Sequence, residues 1–362
     1  MKRSMTLAGA LIGAAALTLS ACAQAPGTDT PSAAPSGGTS ASASGGGFKA
    51  CMVSDSGGFD DKGFNQTALK GQTDAGDQFG IQTAQVESTG DEQYADNINQ
   101  LIQQSCNEIT TVGFLLGDAT AAAVAANPDT NFAIVDFAYE EHSDNLRELT
   151  FATDQAAFLA GYVAAATSET GKIGTYGGIN LPTVTIFMDG LAAGIAQYNE
   201  DEGADVQLLG WDPAAQDGLF TGDFSDQTKG RQTTEQLLDQ GADIIMPVAG
   251  PVGLGSVEAI RAGGGDARLV WVDTDGCVSV PDACDLFLTS VQKKMDNAVF
   301  DTIESAVNGE FEGGLYSGTL ENDGVGIADF HEFDDAVPQD VKDRVDELRQ
   351  QIIDGDIDPS GG

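Results

Sequence analysis

The feature that most constrains this chain is a regular alternation of short apolar runs with longer stretches of helical periodicity, which begins at residue 48. In a first block, strand-like runs at 49–53, 80–87, 108–116 and 131–137 alternate with helical candidates at 65–79, 94–105 and 118–126. This βαβα order predicts a parallel sheet whose two faces are covered by helices.

The same pattern repeats in a second block. Strand-like runs lie at 149–153, 172–178, 205–211 and 242–250, with helical candidates at 154–167, 184–199 and 227–240. Two such doubly wound parallel sheets predict an α/β protein of two lobes that are joined by a hinge. In such folds, ligands bind where the carboxyl ends of the strands face each other.

The rest of the chain is expected to return to these two lobes, because none of its elements is long enough to bury a core alone. Strand-like runs at 268–276, 286–292 and 315–330 are joined there by helical candidates near 295–308 and 339–353. We expect a first lobe of residues 48–148 plus about 273–312 and a second lobe of residues 149–272 plus about 313–362.

The amino terminus has the composition of an export signal. Lys2 and Arg3 precede a run of small and apolar residues that ends in Leu19-Ser20-Ala21-Cys22. Residues 1–21 are therefore predicted to be a signal peptide. Small residues directly before a cysteine are typical of a lipobox, which predicts lipidation of Cys22 and stable anchoring by several acyl chains. An ordinary secretory signal with an incidental cysteine is the alternative.

Residues 22–47 start with this cysteine and continue almost entirely with Ala, Gly, Ser, Thr and Pro. Such a segment cannot bury a core, and its composition is typical of a flexible tether. We expect it to hold the folded domain away from a membrane surface.

The charge balance is strongly acidic, with 16 Lys and Arg against 56 Asp and Glu and a formal net charge of −40. A body of this charge repels nucleic acids and anionic lipid head groups. We therefore expect neutral or cationic ligands and no nucleic-acid partner. Solubility or adaptation to salt would also account for the acidic excess.

Four cysteines remain besides Cys22: Cys51, Cys106, Cys277 and Cys284. An even number in an exported chain permits two disulfides, and Cys277 with Cys284 would close a short loop. The sequence does not determine the pairing, and four buried thiols are the alternative.

No recognised catalytic or cofactor motif occurs in the sequence. The two histidines, His142 and His331, are far apart, and there is neither a GxSxG elbow nor a P-loop lysine after the glycine-rich stretch 250–256. We expect no metal, no cofactor and no enzymatic activity.

Polar and aromatic residues recur where the predicted strands end or the next helices begin. The residues in these positions are Asp55, Phe64, Asn65, Asp136, Phe224, Gly250, Asp273 and Lys293. Because the carboxyl ends of parallel strands meet at one edge of a sheet, these side chains are expected to line the cleft between the lobes. Each taken alone has a structural explanation, such as a helix cap or a core aromatic residue.

The stretch DSGGFDDKGFNQ at 55–66 resembles the signature of the basic membrane protein lipoproteins, the nucleoside-binding components of ABC importers. Similar stretches at 155–165, 241–255, 271–276 and 289–299 extend the resemblance over about residues 48–350. The resemblance implies the type I periplasmic-binding-protein-like fold. Gly63 stands where the family usually has serine, and the segment 211–226 is longer than usual.

The resemblance also implies roles for the strand-end residues. A purine nucleoside would stack between Phe64 and a second aromatic residue, while Asn65 and Asp136 would bind the base edge by hydrogen bonds. Asp273 would accept from the ribose hydroxyls. The rest of the sugar site would consist of Asp55, Lys293 and the Gly250 backbone. The second aromatic residue is expected to be Phe224, with Phe220, Trp211 and Phe187 left open by the longer segment.

The sequence, with this resemblance, predicts a monomeric solute-binding protein, lipid-anchored on the extracytoplasmic face of the cell membrane, that delivers a nucleoside to the permease subunits of an ABC importer. A neutral nucleoside is favoured over a nucleotide, because no Arg or Lys cluster is seen to receive a phosphate. The alternatives are a binding protein for a sugar or other small polar solute, a surface receptor or adhesin, and an extracytoplasmic enzyme.

Overall fold

The computed structural model describes residues 46–361. The predicted signal peptide, the candidate lipidation site Cys22 and nearly all of the predicted tether lie outside the described residues.

Within the described chain there are 14 strands and 10 α-helices. The strands are β1 (Lys49–Ser54), β2 (Gln82–Glu87), β3 (Glu108–Val112), β4 (Asn131–Val135), β5 (Leu146–Phe151), β6 (Lys172–Gly177), β7 (Gln207–Leu209), β8 (Trp211–Asp212), β9 (Asp217–Gly218), β10 (Ile244–Val248), β11 (Arg268–Asp273), β12 (Phe287–Lys293), β13 (Gly314–Gly318) and β14 (Val325–Ile327). The helices are α1 (Phe64–Phe79), α2 (Tyr94–Gln103), α3 (Gly117–Ala126), α4 (Thr153–Thr167), α5 (Pro182–Glu202), α6 (Gln227–Asp239), α7 (Leu254–Ala262), α8 (Gly276–Ser279), α9 (Met295–Asn308) and α10 (Gln339–Ile353).

The first sheet has the order β13-β5-β4-β3-β1-β2, and all of its strand pairs are parallel. Its central strands, β1, β3 and β4, are buried almost throughout, as expected for strands covered on both faces. The strand order reverses between β1 and β3, and in a doubly wound sheet this reversal opens a crevice at the carboxyl ends of the strands.

The second sheet repeats this arrangement with the order β14-β12-β11-β10-β6-β7. Its strands are parallel except for β14, which pairs antiparallel with β12. Here the order reverses between β6 and β10. The two doubly wound parallel sheets predicted from the sequence are therefore confirmed.

Within residues 46–361 the chain passes between the sheets three times. It leaves the first sheet after β5, returns after β12, and leaves again between β13 and β14. Helix α4 packs against α5 and α10 on the second sheet, whereas α9 packs against α1 on the first. Three connections between two lobes permit a hinge motion, in which a few residues at the ends of elements change conformation.

The strand pairing corrects the expected lobe boundaries. The sequence predicts the run at 286–292 in the first lobe, but its strand, β12, lies in the second sheet, between β11 and β14. The run that begins at 315 is predicted in the second lobe, but its first strand, β13, pairs with β5 in the first sheet. The end of β5, at residues 149–151, also belongs to the first sheet. Apolar strand runs look alike in either sheet, so local sequence does not determine which neighbour a strand joins.

Two disulfides are present in the described residues, Cys51–Cys106 and Cys277–Cys284. The first links β1 to Cys106, which lies just before β3. The second links two cysteines that are seven positions apart in the sequence, after β11. Cys277 and Cys284, which the sequence predicts can close a short loop, are bonded to each other in the structure, and the four cysteines of the described residues form two bonds.

Candidate functional site

A cleft with about 570 Å³ of space between protein atoms lies where the carboxyl ends of the two sheets come together. Residues that follow β1 and β4 line it from the first lobe, and residues that follow β6 and β10 line it from the second. The sequence-predicted residues that line this cleft are Asp55, Phe64, Asn65, Asp136, Phe224, Gly250, Asp273 and Lys293. The structure thus brings all eight of them to one cavity.

Asp61 organises the first lobe's side of the cleft. Its carboxylate accepts hydrogen bonds from the backbone N–H groups of Gly63 (3.0 Å), Asn65 (2.7 Å) and Gln66 (3.0 Å). These donors lie at the start of α1, where N–H groups have no partner within the helix. Asp61 therefore fixes the first turn of α1 and, with it, the positions of Phe64 and Asn65.

Asn65 links α1 to the residues that follow β1. Its Nδ2 donates to Asp55 Oδ1 and to the Ser56 carbonyl oxygen, both at 3.3 Å. The side chain is buried, and within the described residues its Oδ1 has no hydrogen-bond partner. A buried acceptor without a partner is costly, so this oxygen is suited to receive a donor from a ligand.

Asp136 and Asp273 present carboxylates from opposite sheets. Asp136 follows β4 with φ +65°, and Asp273 ends β11 with φ +69°. The left-handed region is uncommon for residues other than glycine and is associated with functional sites. The Lys293 ammonium lies between them, with Nζ 2.5 Å from Asp136 Oδ2 and 3.7 Å from Asp273 Oδ1.

The same ammonium lies close to two aromatic rings. Lys293 Nζ is 5.0 Å from the centroid of Phe64 and 5.1 Å from that of Phe187, which are distances typical of cation–π contacts. Phe64 comes from the first lobe, whereas Phe187 lies on α5 of the second.

The structure reduces the alternatives for the second aromatic residue. Phe224 and Phe187 both line the cleft, but Phe220 and Trp211 do not. Trp211 packs against Phe220 with the ring centroids 6.1 Å apart. The unusually long segment before Phe224 forms the small hairpin of β8 and β9, which explains why its length does not displace Phe224 from the cleft.

Burial changes the protonation of the cleft's acids. Loss of hydration raises the pKa of Asp55 to about 8, an effect that the Asn65 hydrogen bond partly offsets. Burial also raises the pKa of Asp273 to about 7, although the Lys293 charge lowers it. For Asp61, burial raises the pKa against the opposing effect of its three N–H donors. Asp55 and part of the Asp273 population are therefore protonated near neutral pH. The charge of the cleft is then less negative than its number of aspartates indicates.

Gly250 contributes backbone rather than a side chain. It follows β10 with φ +53°, and a Cβ placed on it would meet no atom within 4 Å. The open space in front of Gly250 lets a ligand approach the main chain closely.

Several cleft residues were not assigned from the sequence. They include Asp61, Phe114, Leu181, Thr183 and Pro251. Of these, Asp61 carries a usable signal, because an acid shortly before a predicted helix is a typical cap. The neighbouring Asp60 points to solvent and pairs with Lys62. Of the two consecutive aspartates, Asp61 is therefore the one that faces the cleft.

One group of potential metal ligands lies outside the cleft, among the residues that the structure describes. It consists of Asp275, Cys277 and His331. Cys277 is bonded to Cys284, so its sulfur does not provide a thiolate ligand. Asp275 and His331 instead are hydrogen-bonded to each other, with Oδ2 and Nε2 2.8 Å apart.

Comparison with known proteins gives the family of this chain. Residues 48–358 match the Bmp family, described as ABC transporter substrate-binding protein, PnrA-like. The chain belongs to the Bmp family. The resemblance to the basic membrane proteins noted in the sequence is therefore confirmed.

Several relatives match most of the chain. The "ABC transporter nucleoside-binding protein BmpA" of Lactococcus lactis is 32% identical over 86% of this chain and 88% of its own length. The "CD4+ T-cell-stimulating antigen" of Listeria monocytogenes is also 32% identical, over 86% of this chain and 87% of its own.

A solved structure supports the fold of this Bmp family member. An ABC transporter solute-binding protein from Aeropyrum pernix K1 superposes with a TM-score of 0.78 and 25% identity, covering 86% of this chain and 92% of its own. The type I periplasmic-binding-protein-like fold predicted from the sequence is confirmed. In residues 46–361, no helix has the length and apolar character needed to span a bilayer.

Proposed function

We propose that this protein is the extracytoplasmic, lipid-anchored solute-binding component of an ABC importer, and that it binds a nucleoside, preferably a purine nucleoside, between its two lobes. Lobe closure would trap the ligand, and the closed form would deliver it to the permease subunits. The observation that carries this proposal is the convergence of the eight strand-end residues on one cleft.

The chemistry of the cleft suits a neutral nucleoside. Phe64 from one lobe and Phe224 or Phe187 from the other offer aromatic faces for a planar base. Asp273 offers carboxylate oxygens, which can accept from the two hydroxyls of a ribose. Among residues 46–361, Lys293 is the one Lys or Arg that lines the cleft. It is already paired with Asp136 and Asp273, so little positive charge remains for a phosphate.

Calorimetry with inosine, guanosine, adenosine, uridine, ribose and galactose tests this proposal against the alternative of a sugar-binding protein. We expect purine nucleosides to bind most tightly and the free sugars not to bind. Binding of a sugar without any nucleoside would overturn the proposal. Mass spectrometry of small molecules that copurify with the folded protein gives an independent identification of the ligand.

Transport and anchoring require experiments in cells. Deletion of the protein should abolish nucleoside uptake, whereas unchanged uptake would favour a surface receptor or adhesin. Replacement of Cys22 by alanine should release the protein from the membrane fraction.

A nucleoside incubated with the protein should be recovered intact, because we propose binding without catalysis. Release of free base would favour an enzyme.

A further inference from the structure

The described residues contribute four carboxyl groups and one ammonium group to the cleft. Asp55, Asp61, Asp136 and Asp273 line it together with Lys293. Lys293 pairs with Asp136 and Asp273, and Asp61 receives three backbone N–H groups. In the described part of the chain, no ion pair involves Asp55. Asp55 is therefore the carboxyl group of the cleft whose negative charge would be least compensated.

The surroundings of Asp55 also disfavour its ionised form. The residue is 8% exposed, and its Oδ2 lies against Gly113, where a Cβ would come within 1.9 Å of it. The titratable groups that act on it are Asp61 before α1, Asp136 after β4 and Tyr94 on α2. None of these supplies positive charge. An ionised carboxylate here would lose its hydration without receiving a cation in return.

Asn65 orients this group. Both hydrogens of its Nδ2 are directed to acceptors, Asp55 Oδ1 and the Ser56 carbonyl oxygen. Because the amide nitrogen must face these two acceptors, the amide oxygen faces away from them. That oxygen is buried and has no partner within residues 46–361. Asp55 and Asn65, which contact each other through Oδ1 and Nδ2, thus each retain one oxygen, Asp55 Oδ2 and Asn65 Oδ1, that receives no hydrogen bond from the described chain.

We propose that Asp55 acts as a neutral carboxylic acid whose O–H donates a hydrogen bond to an acceptor atom of the bound nucleobase, while Asn65 Oδ1 accepts from an N–H of the same base. This inference rests on the proposed function, because it requires a nucleobase in the cleft. It moves Asp55 from the sugar site that the family resemblance implies to the base-reading pair with Asn65. The raised pKa of Asp55, about 8, keeps the acid form dominant at neutral pH.

A pair of substitutions separates a neutral acid from a carboxylate. Asp55→Asn replaces the O–H donor with an N–H donor of the same shape, whereas Asp55→Ala removes it. We measure affinity by calorimetry between pH 6 and 9.5 for whichever of inosine, guanosine, adenosine and uridine the wild type binds most tightly. The wild-type affinity should fall about tenfold per pH unit above the pKa of Asp55.

At pH 6, Asp55→Asn should retain the wild-type affinity within about threefold, and Asp55→Ala should lose tenfold or more. The affinity of Asp55→Asn should fall less at high pH than that of the wild type. If Asp55→Asn binds as weakly as Asp55→Ala, or if it loses affinity with rising pH as steeply as the wild type, the proposal is overturned. An equally steep loss would assign the titration to another group, such as Asp273 or the base itself.

A measurement without ligand keeps this test independent of the proposed function. In protein labelled with ¹³C at the aspartate side-chain carboxyl, one resonance should titrate near pH 8 in the wild type and be missing in Asp55→Asn. Titration of Asp55 near its ordinary pKa would overturn the inference even if nucleosides bind. Failure of the wild type to bind nucleosides at any pH would instead overturn the proposed function.

Discussion

Lys293 and Asp136 form a buried ion pair that joins the two sheets. Nζ of Lys293, at the end of β12, lies 2.5 Å from Oδ2 of Asp136, the residue after β4, and both side chains are less than a tenth exposed. The same ammonium approaches Asp273 at 3.7 Å. One cation therefore stabilises two carboxylates that come from different lobes.

Replacement of Lys293 by methionine should destabilise the protein strongly. Removing one partner of a buried pair leaves the other charge without compensation and costs about 3–5 kcal/mol. Urea unfolding measures the loss. Lys229→Met is the matched control, because Lys229 pairs with Asp223 on the surface, where such pairs contribute little. Equal losses in the two variants would contradict the assigned role of Lys293.

Phe64→Leu should weaken nucleoside binding while keeping most of the apolar volume. Stacking of a base on an aromatic ring contributes about 1–3 kcal/mol, so the dissociation constant should rise by roughly tenfold. Phe220→Leu is the control, because Phe220 packs against Trp211 and does not line the cleft. Calorimetry should show a near-normal affinity for that variant. A similar loss in both would argue against stacking on Phe64.

Asp61→Ala should lower both stability and ligand affinity. The substitution removes the acceptor for three N–H groups at the start of α1, and loss of a helix cap costs about 0.5–2 kcal/mol. Thermal unfolding and nucleoside titration measure the two effects. Asp226→Ala is the control, because in the described part of the chain this cap of α6 accepts from one N–H group, that of Thr228. We expect this variant to lose stability at the low end of that range and to leave affinity nearly unchanged.

The two disulfides should differ in their contribution to stability. Cys51 and Cys106 are separated by 55 residues, whereas Cys277 and Cys284 are separated by seven. Cross-linking a longer loop removes more entropy from the unfolded chain, about 4 kcal/mol for the first bond and about 2 kcal/mol for the second. Double alanine variants compared by urea unfolding should follow this order. A larger loss for the short loop would show that native-state effects dominate.

Glu108→Gln should stabilise the protein at alkaline pH. Glu108 is fully buried in β3, where its Oε1 accepts from Thr110 and its Oε2 has no partner in the described residues. Burial raises its pKa from 4.5 to about 8. Between these values the folded state keeps a proton that the unfolded state releases, so wild-type stability falls with rising pH, by at most about 1.4 kcal/mol per unit.

The stability gained by Glu108→Gln should therefore be small at pH 4.5 and grow towards pH 8, as measured by urea unfolding at both values. Glu235→Gln, at an exposed position on α6, should show no such growth. A pH-independent difference between wild type and Glu108→Gln would mean that Glu108 is ionised in the folded protein.

Much of the architecture was predictable because it depends on neighbouring residues. The runs at 49–53, 131–137 and 242–250 became β1, β4 and β10, since buried parallel strands are continuously apolar. Asp55 and Asp136 are polar residues near the ends of such runs, and this position predicted that both line the cleft. The helix α7 was missed, because its glycine-rich start in the stretch 250–256 lacks a helical pattern.

The alternation of strands and helices, the residues at the strand ends and the family signature can all be identified in the sequence, because periodicity and chain order are local properties. The three-dimensional structure was needed to show that β12 joins the second sheet and β13 the first, that Phe187 faces the cleft while Phe220 does not, and that Lys293 pairs with Asp136. These facts depend on contacts between residues far apart in the chain, whose burial and packing no short stretch of sequence specifies.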